Sequence, residues 1–185
     1  MGKLILTELS LNGAYIIEPN KQYDSRGSFS RVFCQEELSN IFDGNIVQIN
    51  HSITSKKGSV RGLHFQYPPS SEIKMVKCIK GSVFDVIVDI RENSTTFLQW
   101  FGTVLSAENM RMLYIPKGFA HGFQTLEEDI QMLYMHSEVY APENEGALNV
   151  LDPRLAIEWP LPLGGLSRRD THHPMITQDF QGIKA

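Results

Sequence analysis

Two histidines stand in the most chemically loaded surroundings of this chain. His64 lies in the stretch VRGLHFQ that begins at Val60, three residues after Arg61 in an otherwise apolar, strand-like run, and His121 lies in IPKGFAHGF, which begins at Ile115. An imidazole titrates close to neutral pH and is also a common metal ligand. His64 therefore has three readings: a catalytic base, a metal ligand, or a polar side chain that the core tolerates. A catalytic metal needs about three protein ligands. The position two after His64, where a His-x-His pair would supply a second imidazole, is Gln66, a poor ligand. No metal site can be assembled from this stretch alone, and none is expected.

The elements that must hold these side chains read as strands. Seven short runs rich in Val, Ile, Phe and Tyr begin at Ala14, Ile46, Lys74, Ser82, Phe101, Arg111 and Asp129, separated by Gly, Pro, Asn and Asp. That punctuation belongs to an all-β sandwich or barrel. From Ser82 to Ile90 the chain alternates, with Phe84, Val86, Val88 and Ile90 on one face and Val83, Asp85, Ile87 and Asp89 on the other. One face is expected to pack while the other carries two carboxylates. Arg61 and His64 differ in parity, so strict alternation sends them to opposite faces unless Gly62 marks a bulge. Tyr134, His136, Glu138 and Tyr140 share parity, which would set the two tyrosines roughly 20 Å apart on an unbroken strand at about 3.3 Å per residue. Gln35 to Phe42 is the clearest helix candidate, acidic at its start and apolar at Leu38, Ile41 and Phe42. Beyond Pro142 the chain turns loop-like, and nothing suggests a repeat or a linker that would divide it.

With 185 residues, one domain is expected. A net charge of −4 offers no basic face for a polynucleotide. Cys34 and Cys78 are far apart and read as reduced, buried thiols rather than a disulfide or zinc framework. No run approaches the roughly 20 apolar residues of a membrane span, and the N-terminus MGKLILTELS lacks a leader pattern. A cytoplasmic protein with no membrane and no nucleic-acid partner is expected.

The Pro-x-Gly-x-x-His turn before His121 resembles half of a signature of the cupins, small β-barrels that often bind metal. A longer series of motifs is more specific. DSRG from Asp24, NHS from Asn50, RGLHFQ from Arg61, GSVFDVIVDIR from Gly81, LSAEN from Leu105, IPKGFAHGF from Ile115, YAP from Tyr140, DP from Asp152, EWP from Glu158 and LSRRD from Leu166 follow in order across nearly the whole chain. Together they resemble the dTDP-4-dehydrorhamnose 3,5-epimerase family. The resemblance implies a cupin-like double-stranded antiparallel β-barrel, a jelly roll with short peripheral helices. It further implies a homodimer whose N-terminal strands join the partner's sheet, and a C-terminal tail from about residue 160 packed over the barrel. The implied reaction uses no metal and no cofactor. It inverts C3, C5 or both of a nucleotide-diphosphate-linked 4-keto-6-deoxy sugar.

By motif, the resemblance makes His64 the base, Asp170 its partner and Tyr134 the acid on the other face. It places Arg26, Phe29, Gln48, Asn50, Arg61, Lys74, His121, Tyr140, Glu145 and Arg169 around the substrate, with Tyr140 stacked on the base and Lys74 near the enolate oxygen. The residue types suit the chemistry. Both carbons flank a carbonyl, so either can lose a proton to an enolate, and inversion needs a group on each face. Histidine is a base matched to neutral pH, and an aspartate on its other nitrogen fixes the tautomer. Arginines suit a diphosphate.

Some residues depart from the family pattern. Arg31 replaces a glutamate, Ser28 a bulky group, Glu72 a glutamine and Leu98 a glycine. Arg31 and Glu72 are expected at or beside substrate contacts, which points toward a changed nucleotide or sugar. A C3-only or C5-only epimerase on another nucleotide sugar, a metal-dependent cupin isomerase or oxygenase, and a sugar-binding cupin without turnover are the alternatives.

Overall fold

The computed structural model describes residues 3–185, so Met1 and Gly2 of the N-terminal stretch lie outside the described residues. The strands in chain order are β1 (Ile5–Glu8), β2 (Tyr15–Glu18), β3 (Gln22–Asp24), β4 (Gly27–Phe29), β5 (Gln48–Thr54), β6 (Val60–Gln66), β7 (Lys74–Lys80), β8 (Ser82–Asp89), β9 (Trp100–Ser106), β10 (Met112–Ile115), β11 (Phe119–Thr125), β12 (Ile130–His136) and β13 (Glu145–Ala147). One sheet has the order β1-β2-β10-β7-β12-β5, the other β13-β6-β11-β8-β9, and β3 and β4 form a separate hairpin. All pairings between these strands are antiparallel. The architecture is the expected all-β jelly-roll barrel, and all seven runs singled out by composition are strands. No helix among the described residues is long and apolar enough to cross a membrane.

Three apolar clusters organise the packing. Between the sheets lies a core of Val76, Cys78, Val83, Ile87, Leu113, Phe123, Ile130 and Met132 among others. Outside the five-stranded sheet, Val86, Val88 and Ile90 pack against Leu148, Val150 and Leu155, with Leu163, Leu166, Ile176 and Phe180 added from the C-terminal segment. Outside the six-stranded sheet, Met75, Met112, Tyr114 and Met135 are covered by Leu38 and Phe42.

The alternation in β8 is therefore real, but its consequence differs from the sequence expectation: both faces are buried, and Asp85 and Asp89 are fully enclosed. Each carboxylate has partners, as a buried charge requires. Asp85 meets His121, and Asp89 accepts from Arg91, Ser94 and Thr96.

The helix is shorter than expected, α1 (Gln35–Leu38), extended only by a turn in which the Ile41 and Phe42 amides donate to the Leu38 carbonyl. So short a helix is marginal by itself, and burial of Leu38 and Phe42 holds it. Cys78 is buried and its thiol is pushed up to about 11 by that burial, whereas Cys34 is only half-buried, short of the enclosure expected for it.

Inward-facing rows carry core and site on the same strands. On β7, Lys74 shares parity with Val76 and Cys78, and on β12, Tyr134 and His136 share parity with Ile130 and Met132. Each row begins as hydrocarbon packing and ends as polar wall. That change makes a pocket at one end of the barrel.

Candidate active site

The pocket has a volume of about 540 Å³. Its walls come from both sheets, with His64 on β6 and His121 on β11 facing Tyr134 and His136 on β12 and Lys74 on β7. Strand register explains the grouping. His121 pairs with His64 across β11 and β6, so both side chains share a face. Asp85 on β8 pairs with Phe123 and is the diagonal neighbour of His121. On the other wall, His136 pairs with both Lys74 and Gln48, and Tyr134 pairs with Asn50.

A bulge resolves the parity conflict between Arg61 and His64. Against β11, His64 opposes His121 and Arg61 opposes Phe123, so three steps along β6 match two along β11. The extra residue is accommodated at Gly62, whose φ is +136°, and a Cβ there would sit 2.5 Å from the Gly122 Cα. Only glycine fits that approach. Arg61 is thereby re-aimed to the pocket, where Nε donates to Thr54 Oγ1 at 2.8 Å and a terminal nitrogen donates to the Ile53 carbonyl at 3.3 Å.

Asp170 arrives from a 3-10 turn, Asp170–His172, in the C-terminal segment. Its Oδ1 lies 3.0 Å from His64 Nε2. When Nε2–H donates to that carboxylate, Nδ1 keeps the lone pair and is the basic nitrogen. Burial pushes the Asp170 carboxyl up, but hydrogen bonds from His64 and Ser167 and the charge on nearby imidazoles outweigh it, leaving the group below its usual range. His173 joins this pair: its ring meets that of His64 edge-on at 5.9 Å, and its Nε2 is 3.5 Å from Asp170 Oδ1. Burial and the neighbouring His64 lower the His173 pKa.

On the opposite wall, the Tyr134 hydroxyl bonds Ser52 Oγ at 2.9 Å. Burial raises this phenol to about 12, so it is protonated at neutral pH and able to give a proton. His121 Nε2 lies 3.0 and 3.1 Å from the two Asp85 oxygens, and enclosure pushes the Asp85 carboxyl up against the pull of His121. A third pair stands beside Tyr134, where His136 Nδ1 is 2.5 Å from Glu72 Oε2 and the other Glu72 oxygen is 3.1 Å from Lys74 Nζ. Burial acts to raise Glu72, but His136 and Lys74 prevail and hold it below the usual range.

Near the mouth, Tyr140 donates to Glu145 at 2.8 Å, Arg169 pairs with the same carboxylate, and the Tyr140 amide donates to Gln48 Oε1 at 3.1 Å. Strand β12 ends at His136, so the four residues sharing parity through Tyr140 do not lie on one strand, and Glu138 is not in the pocket wall.

Eleven of the thirteen residues singled out from sequence line this one pocket. Arg26 and Phe29 do not: both sit on the exposed β3–β4 hairpin, where Arg26 pairs with Asp24 and Phe29 is 64% exposed. Arg31, where the departure from the family pattern reverses charge, pairs within this chain with Glu37 of α1, and Ser28 is on the exposed hairpin. Glu72 is the departure that does reach the pocket. Gln66, the residue that argued against a metal, is committed to structure, donating to the Ser70 and Val139 carbonyls and accepting from the Ala141 amide.

Sequence reading missed His136, Ser52, Asp85 as a partner of His121, and His173. For His136 a signal existed, since it shares parity with Tyr134. For His173, brought in by an irregular segment, there was none.

The family model for dTDP-4-dehydrorhamnose 3,5-epimerase matches residues 8–178. The dTDP-4-dehydrorhamnose 3,5-epimerase of Salmonella typhimurium is 43% identical over 95% of this chain and 97% of its own. The crystal structure of dTDP-6-deoxy-D-glucose-3,5-epimerase from Legionella pneumophila in complex with dTDP-4-keto-L-rhamnose superposes with a TM-score of 0.90 at 38% identity, covering 98% of this chain and 99% of that one. ChmJ, a 3'-monoepimerase from Streptomyces bikiniensis in complex with dTDP-quinovose, gives a TM-score of 0.84 at 34% identity over 90% and 85% of the two chains. Motif order, barrel, pocket and these likenesses agree, and the chain belongs to the dTDP-4-dehydrorhamnose 3,5-epimerase family of isomerases.

Proposed function

We propose that this protein epimerises a dTDP-linked 4-keto-6-deoxy sugar at the carbons flanking the C4 carbonyl, through an enolate. One observation carries the reading: His64 and Tyr134 line a single pocket from opposite sheets, so a sugar between them has a base on one face and an acid on the other. His64 Nδ1 takes the proton from C3 or C5, and the C–H electron pair moves into the enolate on C4. Asp170 steadies the imidazolium that results. Tyr134 then gives its proton to the opposite face of the same carbon, and the centre is inverted. Solvent restores the tyrosine proton and removes that of His64. Lys74 and His121 are the donors for the enolate oxygen, each backed by a carboxylate. Arg61 and Arg169 serve the diphosphate, and Gln48, Asn50, Glu145 and Tyr140 the nucleoside. No step calls on a metal or a cofactor.

The working unit is a homodimer. Val47, Ile49 and Ile53, on or just before the edge strand β5, are 52%, 61% and 56% exposed, an apolar row of the kind that partners cover. Arg26 and Phe29 serve the partner's pocket in that arrangement. Sedimentation equilibrium should return twice the chain mass; a monomer at micromolar concentration would remove the dimer from the proposal.

The reaction is tested by incubating the protein with dTDP-4-keto-6-deoxyglucose in deuterated water and following C3–H and C5–H by NMR. Exchange beside the carbonyl is expected, and the carbon that exchanges identifies the centre inverted. Binding without exchange at either carbon would show a sugar-binding module and overturn the reading.

A further inference from the structure

The grouping of His64, Asp170 and His173 has a chemistry that proton transfer does not use. One ligating atom from each lies within 4.8 Å of the others. His64 Nε2 and His173 Nε2 are 3.0 and 3.5 Å from Asp170 Oδ1. These separations bracket the edge, about 3.4 Å, of a tetrahedron whose corners lie about 2.1 Å from its centre, the distance at which zinc holds nitrogen and oxygen ligands. A second observation is independent of this spacing. Among the described residues, His173 Nε2 is the buried side-chain nitrogen or oxygen that lacks a hydrogen-bond partner. A buried polar atom without a partner calls for a water or an ion.

We propose that His64, Asp170 and His173 form a site for a divalent transition metal of the zinc class, and that its occupation switches the enzyme off. Two imidazoles and a carboxylate suit zinc better than the oxygen-seeking magnesium or calcium. The site is preorganised, because Asn149 Nδ2 donates to the His173 carbonyl at 2.7 Å and fixes the backbone that carries the ring. His64 keeps 30% of its side chain exposed at the pocket, which leaves room for a water as fourth ligand.

Inhibition follows from the tautomer. A neutral imidazole carries one proton, and a metal on Nε2 requires that proton to sit on Nδ1. The lone pair that would take the sugar proton is then gone, and Asp170 is held by the metal instead of by His64. The inhibitory consequence rests on the role given to His64 above; the binding itself does not.

The test is titration of the full-length protein with zinc chloride by calorimetry, alongside His173→Gln and, as a control on the adjacent exposed ring, His172→Gln. One zinc per chain is expected for the unmodified protein and for His172→Gln, with affinity weakened on the order of tenfold or more in His173→Gln. His173→Asn guards against a folding defect peculiar to the first variant. Zinc should abolish deuterium exchange in the unmodified protein, EDTA should restore it, and His173→Gln should resist the same zinc concentration. Absence of stoichiometric zinc, or affinity in both His173 variants equal to that of the unmodified protein, overturns the site. Because the titration needs no turnover, zinc binding by a protein that fails to exchange its sugar would sink the proposed function and leave the site standing.

Discussion

Two histidine–carboxylate pairs face the same pocket under opposite conditions. His121 and Asp85 are neighbours on paired strands, enclosed on all sides, with 6% and 0% of their side chains exposed. His64 and Asp170 are joined across the rim by a segment from the far end of the sequence, and His64 is 30% exposed. Enclosure pushes the Asp85 carboxyl up, while at the rim the hydrogen bonds to Asp170 outweigh burial and hold it down. The same two residue types are therefore tuned apart by solvation. A rim pair can exchange protons with substrate and water, as a base must, and a floor pair cannot do so freely. The floor pair instead presents a fixed, partnered donor and holds β11 against β8.

If that division is right, equivalent lesions should fail differently. His64→Gln keeps an amide donor near the Nε2 position for Asp170 but removes the base, so C3–H and C5–H exchange should fall by about 10²–10⁴-fold. Its stability should change by less than about 1 kcal/mol, as for a partly exposed position. His121→Ala leaves Asp85 enclosed without its partner, the situation in which breaking a buried pair costs about 3–5 kcal/mol. Adding Asp85→Asn to that variant should return much of the loss, because the stranded charge is then gone. Urea melts beside exchange rates measure both properties on each variant. A His121→Ala protein as stable as the parent, or a His64→Gln protein that exchanges normally, would erase the distinction between floor and rim.

How much of this was legible beforehand differs along the same line. The strands announced themselves by composition, and the alternation in β8 was read with the correct faces. What the alternation could not disclose was which face turns inward: Asp85 and Asp89 share the barrel-interior face with Val83 and Ile87, while a second layer covers Val86, Val88 and Ile90, so both faces are buried. The partnership of His64 with Asp170 came from the order of motifs and not from spacing, since no local rule joins residues so far apart. Strict parity separated Arg61 from His64, and only the register against β11 identifies the bulge at Gly62 that brings them together. Arg31, a departure from the family pattern, forms an ion pair with Glu37 of α1, a partner that no local motif suggested. Ser52, and the pairing of His136 with Glu72, became visible only when β5, β7 and β12 were laid side by side. Pattern finds strands, and register finds sites.

The smallest effect, and the most specific to the comparison, lies in the pH dependence of stability. Asp170 has a folded-state pKa below its unfolded value of 3.8, so its contribution is present above that value and is lost as pH falls through the lowered one. Asp85 has the reverse sign. Its folded-state pKa lies above 3.8, so ionising it costs stability, a cost fully felt above the raised pKa and absent below 3.8. Acidification should therefore first relieve the floor and only afterwards weaken the rim. Urea melts taken from about pH 7 to about pH 3 should show the parent gaining on Asp85→Asn as pH falls toward 3.8, and losing ground to Asp170→Asn below it. Parallel curves for the parent and both variants would mean that the two carboxylates titrate alike, and the physical basis for assigning proton transfer to the rim would be gone.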